Sequence, residues 1–190
     1  MAEETAQAFL LRRRSTPVRM LRAPAPDRAA LRDILTAGAR VPDHGKLEPW
    51  RFVVLERPAL GRLAGLVAAR GSELGLDPER IAKAARDYSD SPLAVAVIAA
   101  PRPSDKIPEI EQVLSSGAVC LAVLNAVLAH GWAACWLTGW PAHDRAFAEG
   151  ALGVGEGEFV AGLIHLGSAD ATPPERPRPD IDAITRWDGP

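Results

Sequence analysis

The sequence predicts one domain in which helices pack against both faces of a β-sheet, and three features carry that reading. Phe52-Val53-Val54-Leu55 is apolar without polar alternation, as in a strand covered on both sides. Residues 93–100, 132–137 and 158–167 are further strand-length apolar runs. Between them lie segments with helical periodicity, and the longest, residues 109–130, is apolar on nearly every face. A helix of that kind is buried all round. In a chain of 190 residues one of its faces is expected to be covered by a second copy, so this segment predicts a homodimer.

Composition excludes several classes of function. Hydrophobic residues make up 47% and charged residues 24%, the ordinary balance of a globular chain. A formal net charge of -2 and a pI of about 6.1 give no basic field for nucleic acid or anionic lipid. Cys120 and Cys135 sit in apolar surroundings without C-x-x-C spacing, so they read as buried thiols of a reducing compartment. The start, Met1-Ala2-Glu3-Glu4, lacks the features of a signal peptide. The apolar stretch 117–129 is short for a bilayer and contains Asn125. A cytoplasmic protein is the expectation.

In chain order, residues 4–11 predict a first helix with Ala6, Phe9 and Leu10 on one face. It runs into Arg12-Arg13-Arg14-Ser15-Thr16. Guanidinium forks and hydroxyls in that order suit a small multi-oxygen anion; a solvated basic helix end is the other reading. Pro26-Asp27 opens a second helix through Leu31, Ile34, Leu35 and Gly38. That helix delivers the segment Arg40-Val41-Pro42-Asp43-His44-Gly45-Lys46-Leu47-Glu48-Pro49-Trp50. Its prolines fix the backbone around a cation, a titratable ring and an aromatic plate, so it is either a functional loop or an ordinary helix-to-strand connection. Pro58 starts a third helix, residues 71–75 read as a linker, and Asp77-Pro78 caps a helix through Tyr88. Pro101, Pro103 and Pro108 mark a loop that carries Arg102 and Lys106. Gly131 ends the long helix, and Thr138-Gly139-Trp140-Pro141 reads as a turn with exposed amides before a helix near residues 144–149. Residues 172–190 form a tail, proline-rich over 172–179 and expected to be extended along a surface or a partner.

Dinucleotide, P-loop, zinc-protease and serine-elbow motifs are absent: Gly153, Gly155 and Gly157 precede a strand, and His130, His143 and His165 lack ligand spacing. His165 reads as a core or interface histidine. The series Trp132, Trp136, Trp140 reads either as a cofactor wall or as packing, with packing the favoured reading for Trp136.

Arg13-Arg14-Ser15, the Arg40 to His44 segment leading to Pro49-Trp50, and Trp136-Leu137-Thr138-Gly139 follow one another at spacings that resemble the nitroreductase family of flavoproteins, in particular its short bacterial members. The likeness covers about residues 5–167. It implies an α+β three-layer sandwich, a mixed central sheet flanked by helices, in a single FMN-binding domain over residues 1–190 that forms a homodimer with FMN at the subunit interface. By that resemblance Arg13, Arg14 and Ser15 hold the FMN phosphate and ribityl chain. Arg40 and His44 reach the flavin of the other subunit, and Leu137, Thr138 and Gly139 lie along the isoalloxazine. Residues 127–132 match a region linked to the nicotinamide cofactor. No metal and no acid–base dyad are implied. NAD(P)H is the co-substrate, and an electron-poor small molecule such as a nitro compound or quinone takes two electrons in a ping-pong scheme. A flavin-binding or sensory dimer without turnover, and a related flavin dehydrogenase, are the alternatives. Pro17, Lys46 and Glu48 depart from the family pattern, with Arg19 the next cation after Ser15; by the same resemblance Arg176 and Arg178 are candidates for a late phosphate contact, as basic residues there are in some relatives, though the match is poor.

Overall fold

The computed structural model describes residues 5–189. Met1 to Glu4, which carry the reading of the N-terminus and the first residue of the first expected helix, lie outside them. The elements are α1 (Ala6–Arg12), α2 (Arg28–Gly38), β1 (Trp50–Glu56), α3 (Arg57–Glu73), α4 (Pro78–Ser89), β2 (Leu93–Ala99), α5 (Glu109–Ala129), β3 (Ala133–Leu137), α6 (Gly139–His143), α7 (Arg145–Leu152), β4 (Phe159–Gly167) and α8 (Ile181–Ile184).

The strands form one sheet in the order β1-β2-β4-β3. β2 lies inside it, and all seven of its residues are buried. Because side chains alternate across a strand, Ala94, Ala96 and Ile98 of β2 enter one core while Leu93, Val95 and Val97 enter the other. The first core is closed by α3, α4, α6 and α7 through Leu60, Leu63, Val67, Tyr88 and Phe147. The second is closed by α2 and α5 through Leu31, Ile34, Val119, Val123 and Val127. The result is the α+β sandwich of helices, sheet and helices.

The implied mixed sheet is corrected in one respect: all three ladders among the described residues are antiparallel. β2 and β3, joined by the crossover helix α5, do run the same way, but β4 inserts between them and pairs with both. Four further expectations change. Residues 71–73 are helical, because Gly71 lets α3 pack directly on Ile81 of α4; a Cβ there would lie 2.6 Å from Ile81 Cγ1. The expected turn at Thr138 to Pro141 is the start of α6, a single helical turn. The tail is extended only as far as Asp180, where α8 begins with the Asp180 carboxylate accepting from the Asp182 N–H. α5 is one continuous helix of 21 residues, long and apolar enough to cross a membrane by length and composition alone. Its packing against the sheet, not its length, marks it as a core helix: Val119, Cys120, Val123 and Val127 are fully buried in the second core.

One face of α5 is uncovered. Ile110 is 61% exposed, Leu114 65% and Leu121 46%, at near-heptad spacing along one stripe. The opposite face approaches α2 so closely that a Cβ on Gly38 would lie 2.4 Å from Val123 Cγ2 and 3.0 Å from its Cα.

Candidate active site

The chain after α1 is tied to the edge of the sheet. The Thr5 hydroxyl caps α1 by accepting from the Ala8 N–H at 3.2 Å, and the Arg13 N–H closes its last turn on the Phe9 carbonyl. The Thr16 N–H then donates to the Ala134 carbonyl of β3 at 2.8 Å. Arg13, Arg14 and Ser15 are therefore fixed between a helix end and a strand. Arg13 Nη2 donates to Ser15 Oγ at 3.2 Å.

The tail returns to the same place. Arg14 pairs with Glu175 at 3.4 Å and donates to the Pro174 carbonyl. Glu175 also accepts from Arg178 Nε at 2.9 Å and from the Arg176 N–H at 3.0 Å. Arg13, Arg14, Ser15, Arg176 and Arg178 together line a recess of 160 Å³. Burial lowers the pKa of Arg13 from its ordinary value, and repulsion from Arg178, Arg14 and Arg176 adds to the shift. Arg13 Nε is buried without a hydrogen-bond partner. A buried, unpaired donor on a guanidinium already repelled by its neighbours suits an anion. This donor set fits a phosphate.

Ser15 and Arg176 also border a larger cavity of 910 Å³. Its floor is Cys135, Leu163 and His165 of β3 and β4; its walls are α4, the 3-10 turn Val18–Met20, and the residues Leu137 to Pro141. Gly139 has φ +65°, which a residue with a Cβ reaches only under strain, so β3 turns into α6 there on a glycine. Leu137, Thr138 and Gly139 thus share one cavity with Ser15, next to the arginine recess.

Arg40 and His44 do not join this group within one chain. Both are exposed, and His44 Nδ1 lies 2.7 Å from Glu111 Oε2 of α5, beside the uncovered stripe. Their loop is pinned to α5. Ser115 Oγ donates to the Pro42 carbonyl and accepts from Trp50 Nε1, and Ser116 Oγ donates to the Pro49 carbonyl. Asp43 accepts from the Leu47 and Glu48 N–H groups, which holds Lys46 (φ 55°) and Glu48 (φ 46°) in a left-handed conformation. The two departures from the family pattern in this loop are therefore also its strained residues.

Arg102 and Lys106 line neither the recess nor the cavity; Arg102 is held by Gln112 of α5. Leu128 and Trp132, from the region linked to the nicotinamide cofactor, border a separate cleft of 350 Å³ with Arg12, Arg13 and Arg14. Trp136 is partly exposed, with its indole over Gly162, and it lines the main cavity as well as packing. Trp140 lines the main cavity, its Nε1 buried and unpartnered. His165 is a core residue, 1% exposed, edge-on to Tyr88 at 6.2 Å between ring centroids. Sequence reasoning gave little weight to Arg176 and Arg178, whose one local signal is arginine alternating with proline in an extended tail.

A sequence model of the Nitroreductase family matches residues 10–168. The Escherichia coli (strain K12) protein YdjA, provisionally named an NAD(P)H nitroreductase, is 32% identical over 163 residues, covering 86% of this chain and 87% of its own. A Haemophilus influenzae protein with the same provisional name is 35% identical over 149 residues, 78% of this chain and 80% of its own. Among solved structures, a nitroreductase-like family protein from Bacillus cereus superposes with a TM-score of 0.81 at 19% identity, over 98% of both chains. The FMN-dependent nitroreductase NfnB of Mycobacterium smegmatis, solved with NADPH, gives 0.77 at 18% identity over 96% of this chain and 97% of its own. These solved structures share this chain's fold. The chain belongs to the Nitroreductase family.

Proposed function

We propose that this chain is a cytoplasmic, FMN-dependent NAD(P)H oxidoreductase. It reduces electron-poor small molecules such as nitro compounds and quinones by two-electron hydride transfer, as a homodimer of single-domain subunits. The observation that carries the reading is the recess of four guanidinium groups and one hydroxyl around the unpaired Arg13 Nε, opening into the cavity at Leu137 to Gly139.

Arg13, Arg14, Ser15, Arg176 and Arg178 would hold the FMN phosphate, and Leu137, Thr138 and Gly139 would lie along the ring. Arg40 and His44 would approach from the partner, since they flank the α5 stripe that a second copy is expected to cover. When bound, FMN supplies the hydride-accepting and hydride-donating chemistry. The protein's own part is electrostatic and steric. Its arginines meet a dianion with charge-assisted bonds of roughly 1.5–3 kcal/mol each. Glu175 neutralises part of the cluster and keeps the tail guanidinium groups in place. Two buried, unpaired thiols fit a reducing compartment.

Purified protein is expected to be yellow, to bleach with NAD(P)H under nitrogen, and to consume NAD(P)H steadily with a quinone or nitroaromatic acceptor. Colourless protein that fails to take up added FMN refutes the reading. Yellow protein without turnover leaves a flavin-binding dimer.

A further inference from the structure

The arginine recess adjoins the cavity at Ser15 and Arg176. The end of the cavity formed by α4 and the 3-10 turn has a charge of its own. Arg80, Lys83 and Arg86 on α4 and Arg19 on the turn line it, and all four are exposed. Neither Arg19 nor Arg80 takes part in an ion pair among the described residues. Two carboxylates, Asp87 and Asp90, face these four cations. Asp87 is partly buried between Lys83 and Arg86, so the wall remains positive. Beneath it the floor has polar atoms with no partner: the Tyr88 hydroxyl, on a side chain 2% exposed, and His165 Nδ1, on one 1% exposed. Buried polar atoms in native proteins nearly always have partners, so two at the base of one open cavity mark a place where a ligand bonds.

We infer that this end of the cavity recognises a planar molecule carrying an anionic group, with its carboxylate or phosphate against Arg19, Arg80 and Lys83 and a polar ring substituent at the Tyr88 hydroxyl. The inference deepens the proposed function by naming the charge class of the second substrate, and it rests on that reading for turnover only. An anion here has two sources, an acidic electron acceptor or the phosphates of the dinucleotide, and both use the same guanidinium and ammonium donors.

The test is calorimetric titration of the protein as purified, with flavin content measured in each sample. The probes are 4-nitrobenzoate against 4-nitrobenzamide, which share a ring and differ in charge, and NADPH against NADH. The variants are Arg80→Gln with Lys83→Gln, Tyr88→Phe, and Arg62→Gln as a control on α3 away from the cavity. The anionic member of at least one pair is expected to bind about tenfold more tightly to the wild type and the Arg62→Gln control, an advantage the double variant loses. Loss within the nitroaromatic pair assigns the wall to an acidic acceptor, and loss within the nicotinamide pair assigns it to the dinucleotide. Tyr88→Phe is expected to weaken both members of the affected pair. Equal affinities in both pairs, or an advantage that survives the double variant, overturn the inference. Charge discrimination by colourless protein would remove the flavin reading and leave the cationic wall; yellow protein without discrimination would do the reverse.

Discussion

Arg13 illustrates what a single residue decides here. Its Nε has no partner and its charge is crowded by three other guanidinium groups. Arg13→Ala is expected to weaken FMN binding roughly ten- to a hundredfold, as the loss of one charge-assisted bond predicts, measured by quenching of flavin fluorescence. Unchanged affinity would place the phosphate elsewhere. His165 acts on stability instead. Burial pushes its pKa down from 6.5 to about 4. The unfolded chain then binds a proton below pH 6.5 that the folded chain refuses until about pH 4, so stability falls as the pH drops through that window. The expected loss is about 2 kcal/mol between about pH 7 and about pH 5 in denaturant titrations, and His165→Phe should flatten it. Asp144 and Glu158 are lowered chiefly by hydrogen bonds from Arg70 and Arg51, so their contribution disappears only at lower pH. Asp87, raised by burial, works in the opposite sense. Arg13 to Ser15 were legible because they are adjacent in sequence. Arg176 and Arg178 were legible only as a poor match to the family's late basic residues, because Arg14 meets its tail partner Pro174 across 160 residues, and no local pattern records such a return.

Between elements, glycine decides how closely helices approach. A Cβ on Gly38 would press on the Val123 backbone of α5, which cannot move without disturbing the second core. Gly38→Ala is therefore expected to cost about 1–3 kcal/mol in chemical denaturation, whereas Gly65→Ala, on an exposed turn of α3 with nothing within 4 Å, should stabilise by about 0.5–1 kcal/mol. If both changed stability alike, close packing of α2 on α5 would not be the cause. Helix starts were readable from their caps, since the Asp27, Asp77 and Asp144 carboxylates all accept first-turn N–H groups. Helix ends were less readable. Gly71 has the composition of a linker but serves as a contact surface for Ile81, and only the packed neighbour reveals that. Strand positions followed from apolar runs, whereas the insertion of β4 between β2 and β3 depends on long-range pairing that no run encodes.

At the scale of the whole molecule, α5 carries an unmet demand for cover. A helix apolar all round announced in the sequence that it needed cover on every side, and within one chain the stripe of Ile110, Leu114 and Leu121 stays open. The proposed dimer would close it and would bring the partner's His44 loop close to the cavity. Leu114→Glu with Leu121→Glu is expected to shift the protein to monomer in analytical ultracentrifugation and to lower its flavin content together. Monomer that keeps full flavin would show that one chain completes the site alone.

The clasp of the tail around Arg14 has a consequence for how the protein matures. A nascent chain carries only two of the four guanidinium groups of the recess until residues 174–178 emerge, so full retention of the cofactor is expected only after synthesis has passed them. The same exposed, proline-rich stretch is open to proteases. With the phosphate held in the recess as proposed, a single cut there would leave both cores intact and release the prosthetic group, turning a sound fold into an idle apoprotein.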